Sequence, residues 1–197
     1  MRHVIIFISI IFFIMLIAAI RGEALDLSYG VKAGSGLATF YGESVPSSFD
    51  RKFSLSVGGF MELKLMDMIR VQPEVLLFYK GSKYDDLGVT GSFHIYYIDI
   101  PVLFKFYSMF PLPVGLHTFL GPYAGFNLAS KAKVGGVTST NLEIKTTDFG
   151  FQFGLGVDVW KFTIDARTSF SLASISSIST EDTRNSVLSL MVGYRLK

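Results

Sequence analysis

The side chains best placed to do chemistry stand together between positions 85 and 94: Asp85, Asp86, Ser92 and His94. A histidine held against a serine and a carboxylate can draw off the hydroxyl proton for nucleophilic attack or act on lipid head groups. Proximity along the chain does not set that geometry. A polar loop with an interfacial His94 beside Tyr96 and Tyr97 accounts for the same residues and is the reading adopted. His117 stands by itself and reads as structural. Asp85 with Asp86, and Glu181 with Asp182, are carboxylate pairs of the kind that hold calcium, but adjacent acids in polar stretches read first as solvated loop charges. Gly34-Ser35-Gly36 and Gly154-Leu155-Gly156 are not phosphate cradles, because no helix follows either.

Composition narrows the function further. The chain has no cysteine, which removes disulfides, thiolate metal sites and thiol nucleophiles. Its net charge of +2, without a basic run, excludes a nucleic-acid partner of the electrostatic type. The expectation is a non-enzymatic protein with no cofactor and no metal.

The elements that carry these residues come from an unusual background. Half of the 197 residues are apolar and 17% are charged, with 19 Phe and 19 Gly against a single Trp. Beyond the first 20 positions the apolar residues do not gather into runs; they alternate with Gly, Ser, Thr and charge. That pattern suits strands with one face in lipid and one in a barrel interior.

Residues 1–24 read as a secretory signal. Arg2 and His3 precede the apolar run Val4 to Ile20, and Gly22-Glu23-Ala24 places small residues at −3 and −1 of a cut after Ala24. Ala18-Ala19 offers an earlier cut, and an uncleaved anchor is the competing reading, since the run sits at the lower limit for spanning a bilayer. Residues 25–197 then form one barrel domain.

Eight strands are expected within it. They run from Leu27 to Thr39, Lys52 to Leu65, Ile69 to Lys80, Phe93 to Tyr107, Leu116 to Lys131, Asp148 to Val159, Lys161 to Leu172, and Leu188 to Leu196. Tight turns fall at Met66-Asp67-Met68, Ser108 to Gly115 and Trp160. Longer polar stretches fall at Phe40 to Arg51, Gly81 to Ser92, Ala132 to Thr146 and Ser174 to Arg184. A meander alternating in this way has every short turn at one end and every long loop at the other, as an outer-membrane barrel does. Pro73 and Pro101, inside strands, are expected to mark bulges or strand-start distortions.

A soluble lipocalin-like barrel alternates too, with the faces inverted. The nearly unbroken apolar face, the mixed charge, Gly and Ser of the other face, and strand length favour the membrane orientation. Ten charges fall on the inward face: Glu62, Lys64, Arg70, Glu74, Asp99, Lys105, Asp158, Asp165, Arg167 and Arg195. Eight strands enclose a lumen just wide enough for side chains to fill. Charges there must pair, so the ten are expected to form a plug, and the barrel to conduct little or nothing.

Several segments resemble a known family. Val71 to Lys83, with Gln72-Pro73-Glu74; Tyr97 to Tyr107, with Ile100-Pro101-Val102-Leu103 and Lys105; Leu120 to Phe126; Phe149 to Trp160; and Val192 to Arg195 are similar to PorT-like outer-membrane β-barrel proteins. The resemblance covers about residues 28 to 197. It implies an eight-stranded antiparallel up-and-down transmembrane β-barrel in the outer membrane of a Gram-negative cell, in contact with outer-membrane lipid and inserted by the barrel assembly machinery. It also implies an envelope protein partner, in a secretion apparatus, as an alternative to a structural role. The chain ends Tyr194-Arg195-Leu196-Lys197 rather than on an aromatic, so recognition by that machinery would rest on Tyr194 and Leu196.

Overall fold

The computed structural model describes residues 26–41, 52–86, 89–109, 113–134, 137–140, 147–172 and 184–197. Its strands are β1 (Leu27–Tyr41), β2 (Lys52–Lys64), β3 (Ile69–Asp86), β4 (Val89–Tyr107), β5 (Gly115–Val134), β6 (Val137–Thr140), β7 (Thr147–Val159), β8 (Phe162–Ser171) and β9 (Arg184–Arg195). All pairings are antiparallel between neighbours, and β1 closes against β9. Eight strands therefore make one closed barrel. The short β6 lies outside the ring, pairing only with the far end of β5 among the described residues. Among the described residues the ring of eight has no free edge, which a lipid-embedded sheet requires.

The two faces are sorted in the membrane sense. Outward residues such as Phe53, Val57, Phe151 and Leu188 stay more than half exposed, while the largest fully buried side chains are headed by Arg167, Lys32 and Lys105, each at 1% or less. A water-soluble barrel would invert this, because an ammonium or guanidinium buried in place of an apolar group is costly. The lipocalin-like alternative is thereby excluded.

Three expectations change. The stretch from Gly81 to Ser92 is mostly strand: β3 and β4 keep pairing out to Asp86 and Val89, with only positions 87–88 between them. Similarly, β5 runs on to Val134 and turns back through β6. Long strands projecting past the lipid, not irregular loops, build much of that end. The prolines, finally, interrupt pairing without making a bulge: the ladders skip Met61–Pro73 and Glu74–Pro101 but keep their register. Pro73 faces Val102 and Pro101 faces Tyr123 in registers that are the same on both sides. Among the described residues the one register shift lies between Tyr96 and Tyr97, where partners Ala129 and Asn127 leave Leu128 as the extra residue.

Glycines on β7 and β1 make room for inward rings. Gly154 faces Phe119, Gly150 faces Tyr123, and Gly30 faces Phe60. A Cβ at Gly154 would lie 2.6 Å from Phe119 Cζ and 2.2 Å from the Ala166 carbonyl oxygen. Each ring occupies the space that a Cβ on its glycine would need, so a lumen of fixed width accepts an aromatic side chain.

Candidate functional site: the charged lumen

Alternation sends every second side chain into the lumen, and closure decides which of them meet. Glu74 on β3 and Arg167 on β8 lie four strands apart in a ring of eight and are therefore opposite. Their side chains span the lumen in a two-pronged pair, Nη1 to Oε2 at 2.8 Å and Nη2 to Oε1 at 3.1 Å. Lys32 on β1 bridges Glu74 and Asp165 at 2.7 Å each. Arg167 also reaches Asp165 at 3.2 Å. Two cations and two carboxylates thus form a closed ring, with each cation touching both acids.

A second cluster lies nearer the short-turn end. Glu62 accepts from Arg70 at 2.7 Å and from Lys105 at 2.9 Å, with Arg195 at 3.4 Å. Arg195 also pairs with Asp158 at 2.5 Å, and the Tyr107 hydroxyl donates to Asp158 at 2.7 Å. Arg70 stacks on the Tyr107 ring, 4.2 Å from its centroid. Such charge-assisted pairs are short and directional, and in a low dielectric each depends strongly on its partner.

Gln72 and His117 join the two clusters. Lys105 donates to Gln72 Oε1 at 3.2 Å, and Gln72 donates to Glu74 Oε1 at 2.5 Å. His117 Nε2 lies 3.2 Å from Asp165, while Nδ1 faces the Gly115 carbonyl at 3.4 Å and Asp158 at 3.9 Å. His117 thus bridges Asp165 of the first cluster and Asp158 of the second, and the Thr163 hydroxyl donates to the same Asp165 oxygen at 3.2 Å. On the loop side, Leu76, Phe78 and Met191 form an apolar cluster with Tyr97 packed against it.

Of the ten charges anticipated inside, eight lie in this network: Glu62, Arg70, Glu74, Lys105, Asp158, Asp165, Arg167 and Arg195. Lys64 does not join them. As the last residue of β2 it stands at the rim and pairs with Asp67 of the turn at 2.9 Å. The Lys64 ammonium, by hydrogen bond and by charge, holds the exposed Asp67 carboxyl below its ordinary range. Asp99 is buried nearer the loops, its carboxylate lying over Gly125. Close by on β7, Asp148 accepts from Tyr123 at 3.0 Å and from Ser171.

Lys32, Gln72, Tyr107, His117, Gln152 and Thr163 also join the network and were missed as members. Lys32 was legible: it is the one charge on the inward face of β1, between Gly30 and Gly34. The His94 group fares otherwise. His94 and Ser92 lie on β4, facing Gly81 and Lys83, and Asp85 and Asp86 lie on β3. The side chains of these four lie outside the described residues, as do Glu181, Asp182 and residues 1–24.

A family model described as outer membrane protein beta-barrel domain matches residues 21–177. Among solved structures, Neisserial surface protein A aligns with a TM-score of 0.57 at 18% identity, covering 84% of this chain and 96% of that one. A major outer membrane protein of Thermus thermophilus aligns with a TM-score of 0.50 at 15% identity, covering 86% and 99%. At these identities the likeness is one of fold. No curated protein matches the sequence.

Proposed function

This chain belongs to the outer membrane protein beta-barrel domain family, and from that premise we propose that it is a sealed, non-enzymatic barrel of the outer membrane whose loop end carries its interactions. The observation that supports this is the lumen network, which draws a side chain from each of the eight barrel strands and crosses the full width between Glu74 and Arg167. An eight-stranded lumen filled this way has no continuous aqueous path. In this reading residues 1–24 are removed on export, the barrel assembly machinery inserts the remainder, and the barrel serves as a rigid pedestal for the projecting β3–β4 hairpin and its neighbours.

The test is single-channel recording of the refolded protein in planar bilayers, with the intact mass of the envelope-extracted protein read alongside. A flat baseline and a mass beginning at Leu25 are expected. A steady large conductance would overturn the sealed lumen.

The PorT-like resemblance suggests a second reading, an accessory of an envelope secretion complex. Its two most specific segments contain Gln72, Glu74 and Lys105, which bond to one another inside the lumen. Lumen packing therefore accounts for those motifs without a secretion role. The second reading requires a stoichiometric partner that co-purifies after mild detergent extraction.

A further inference from the structure

The β7–β8 turn poses a residue choice that nothing within the chain explains. Val159 pairs with Phe162, so Trp160 and Lys161 form a two-residue hairpin loop. Trp160 has φ of 55°, the only positive value at a non-glycine among the described residues. Positive φ at the first loop residue and not the second is the pattern of a type II′ hairpin, where glycine fits without strain. A bulky side chain there is a backbone outlier. Yet the position holds the only tryptophan of the chain, and that side chain is 77% exposed, so packing within the barrel does not retain it.

What surrounds the ring identifies what covers it. Trp160 continues a line of outward aromatics: its ring is 6.4 Å from Phe162, which is 5.2 Å from Tyr194. Phe162 and Tyr194 belong to the lipid-facing wall, so the indole extends an established lipid contact past the end of the strands. Lys161 sets its ammonium 5.8 Å from the same ring. An indole joined to a lipid wall, with a cation beside it, matches the boundary between acyl chains and phosphate, where amphipathic rings settle. The other turns at this end carry exposed methionines, Met66 and Met68 between β2 and β3 and Met109 after β4. Exposed apolar side chains therefore recur at each of the three turns of this end, as a surrounding membrane plane requires and a partner seated on one side does not.

We propose that the Trp160–Lys161 turn is a lipid-anchoring site: it seats in the head-group layer of the periplasmic leaflet, with the indole at the acyl boundary and Lys161 at phospholipid phosphate, and so fixes the depth of the barrel. Contact with lipid offsets the strained turn.

The single tryptophan makes the test direct. The full protein is folded into phosphatidylethanolamine–phosphatidylglycerol vesicles, and its emission is quenched in turn by phospholipids brominated near the carbonyl, by phospholipids brominated near the chain end, and by aqueous iodide. The proposal expects emission blue-shifted from the urea-unfolded protein, with strongest quenching by the shallow bromolipid. Water-like emission quenched by iodide and by neither bromolipid would overturn it, leaving the rim free for a periplasmic protein. Trp160→Gly supplies a second readout. Its urea midpoint should fall in vesicles and hold or rise in short-chain detergent micelles, which impose no fixed interface. A rise in both media would mean that turn strain alone is felt and that no lipid anchor exists.

Discussion

Glu74 and Arg167 are 93 residues apart in sequence and occupy opposite walls of the barrel, yet their side chains meet at 2.8 Å in the middle of the lumen. This pair ties β3 to β8 without passing through any intervening ladder. Removing one partner leaves a buried charge with fewer counterions, and that cost exceeds the value of the pair itself.

Glu74→Ala should therefore destabilise the barrel by about 3–5 kcal/mol, because Lys32 and Arg167 are then left sharing Asp165. Urea unfolding in vesicles, followed by heat-modifiable gel mobility, measures this. The double variant Glu74→Ala with Arg167→Ala should lose clearly less than the sum of the two single losses, since the charges removed are each other's partners. Asp67→Asn, which touches only the exposed pair with Lys64, should leave the midpoint unchanged. Additive losses would mean that the cross-lumen pair is not coupled.

Conductance should follow the same residues. Recorded in planar bilayers, the double variant Glu74→Ala with Arg167→Ala should open a small, unsteady current above the wild-type baseline. Truncation empties the crossing between opposite walls, and the Lys32–Asp165 pair that remains draws in water. A baseline as flat as that of the wild type would move the seal elsewhere, to the Leu76, Phe78 and Met191 layer.

Two glycines should respond in opposite ways to the same methyl group. At Gly154 a Cβ would strike the Ala166 carbonyl and the Phe119 ring, so Gly154→Ala should cost about 1–3 kcal/mol through overpacking. At Gly59 the nearest atom is the Gly30 carbonyl oxygen at 3.5 Å. There the substitution should be neutral or stabilise by roughly 0.5 kcal/mol, because alanine gives up less chain entropy. Parallel urea titrations compare the two, and equal losses would refute the account of the ring seats.

The lipid wall has its own signature. Leu155, the most exposed large hydrophobic of β7, lies well inside that strand, so Leu155→Arg should cost about 2–4 kcal/mol in vesicles. Its neighbour Gln152 is buried in the lumen beside Arg167; Gln152→Glu should be tolerated far better, because a cation already waits there. A reversed order would invert the two faces of the strand.

The faces of the strands could be read from the sequence because period-two alternation is a local property. Side chains two apart point the same way whatever the rest of the chain does. Phe149 to Val159 shows it: the apolar and polar sets anticipated for that segment are the outward and inward sets of β7. The eight-strand count, the tight turns and most of the inward charges follow from the same local rule. Partners do not. Lys32 bonds to residues 42 and 133 positions away, each two strands along in the closed ring, and that meeting depends on register, stagger and closure together. Only the tertiary structure decided that Lys64 falls at the rim, that His117 and Gln72 bridge two ion clusters, and that the strain-free residue for the Trp160 turn was passed over. Alternation assigns a residue to the lumen, and only the closed barrel brings its counterion from the opposite wall.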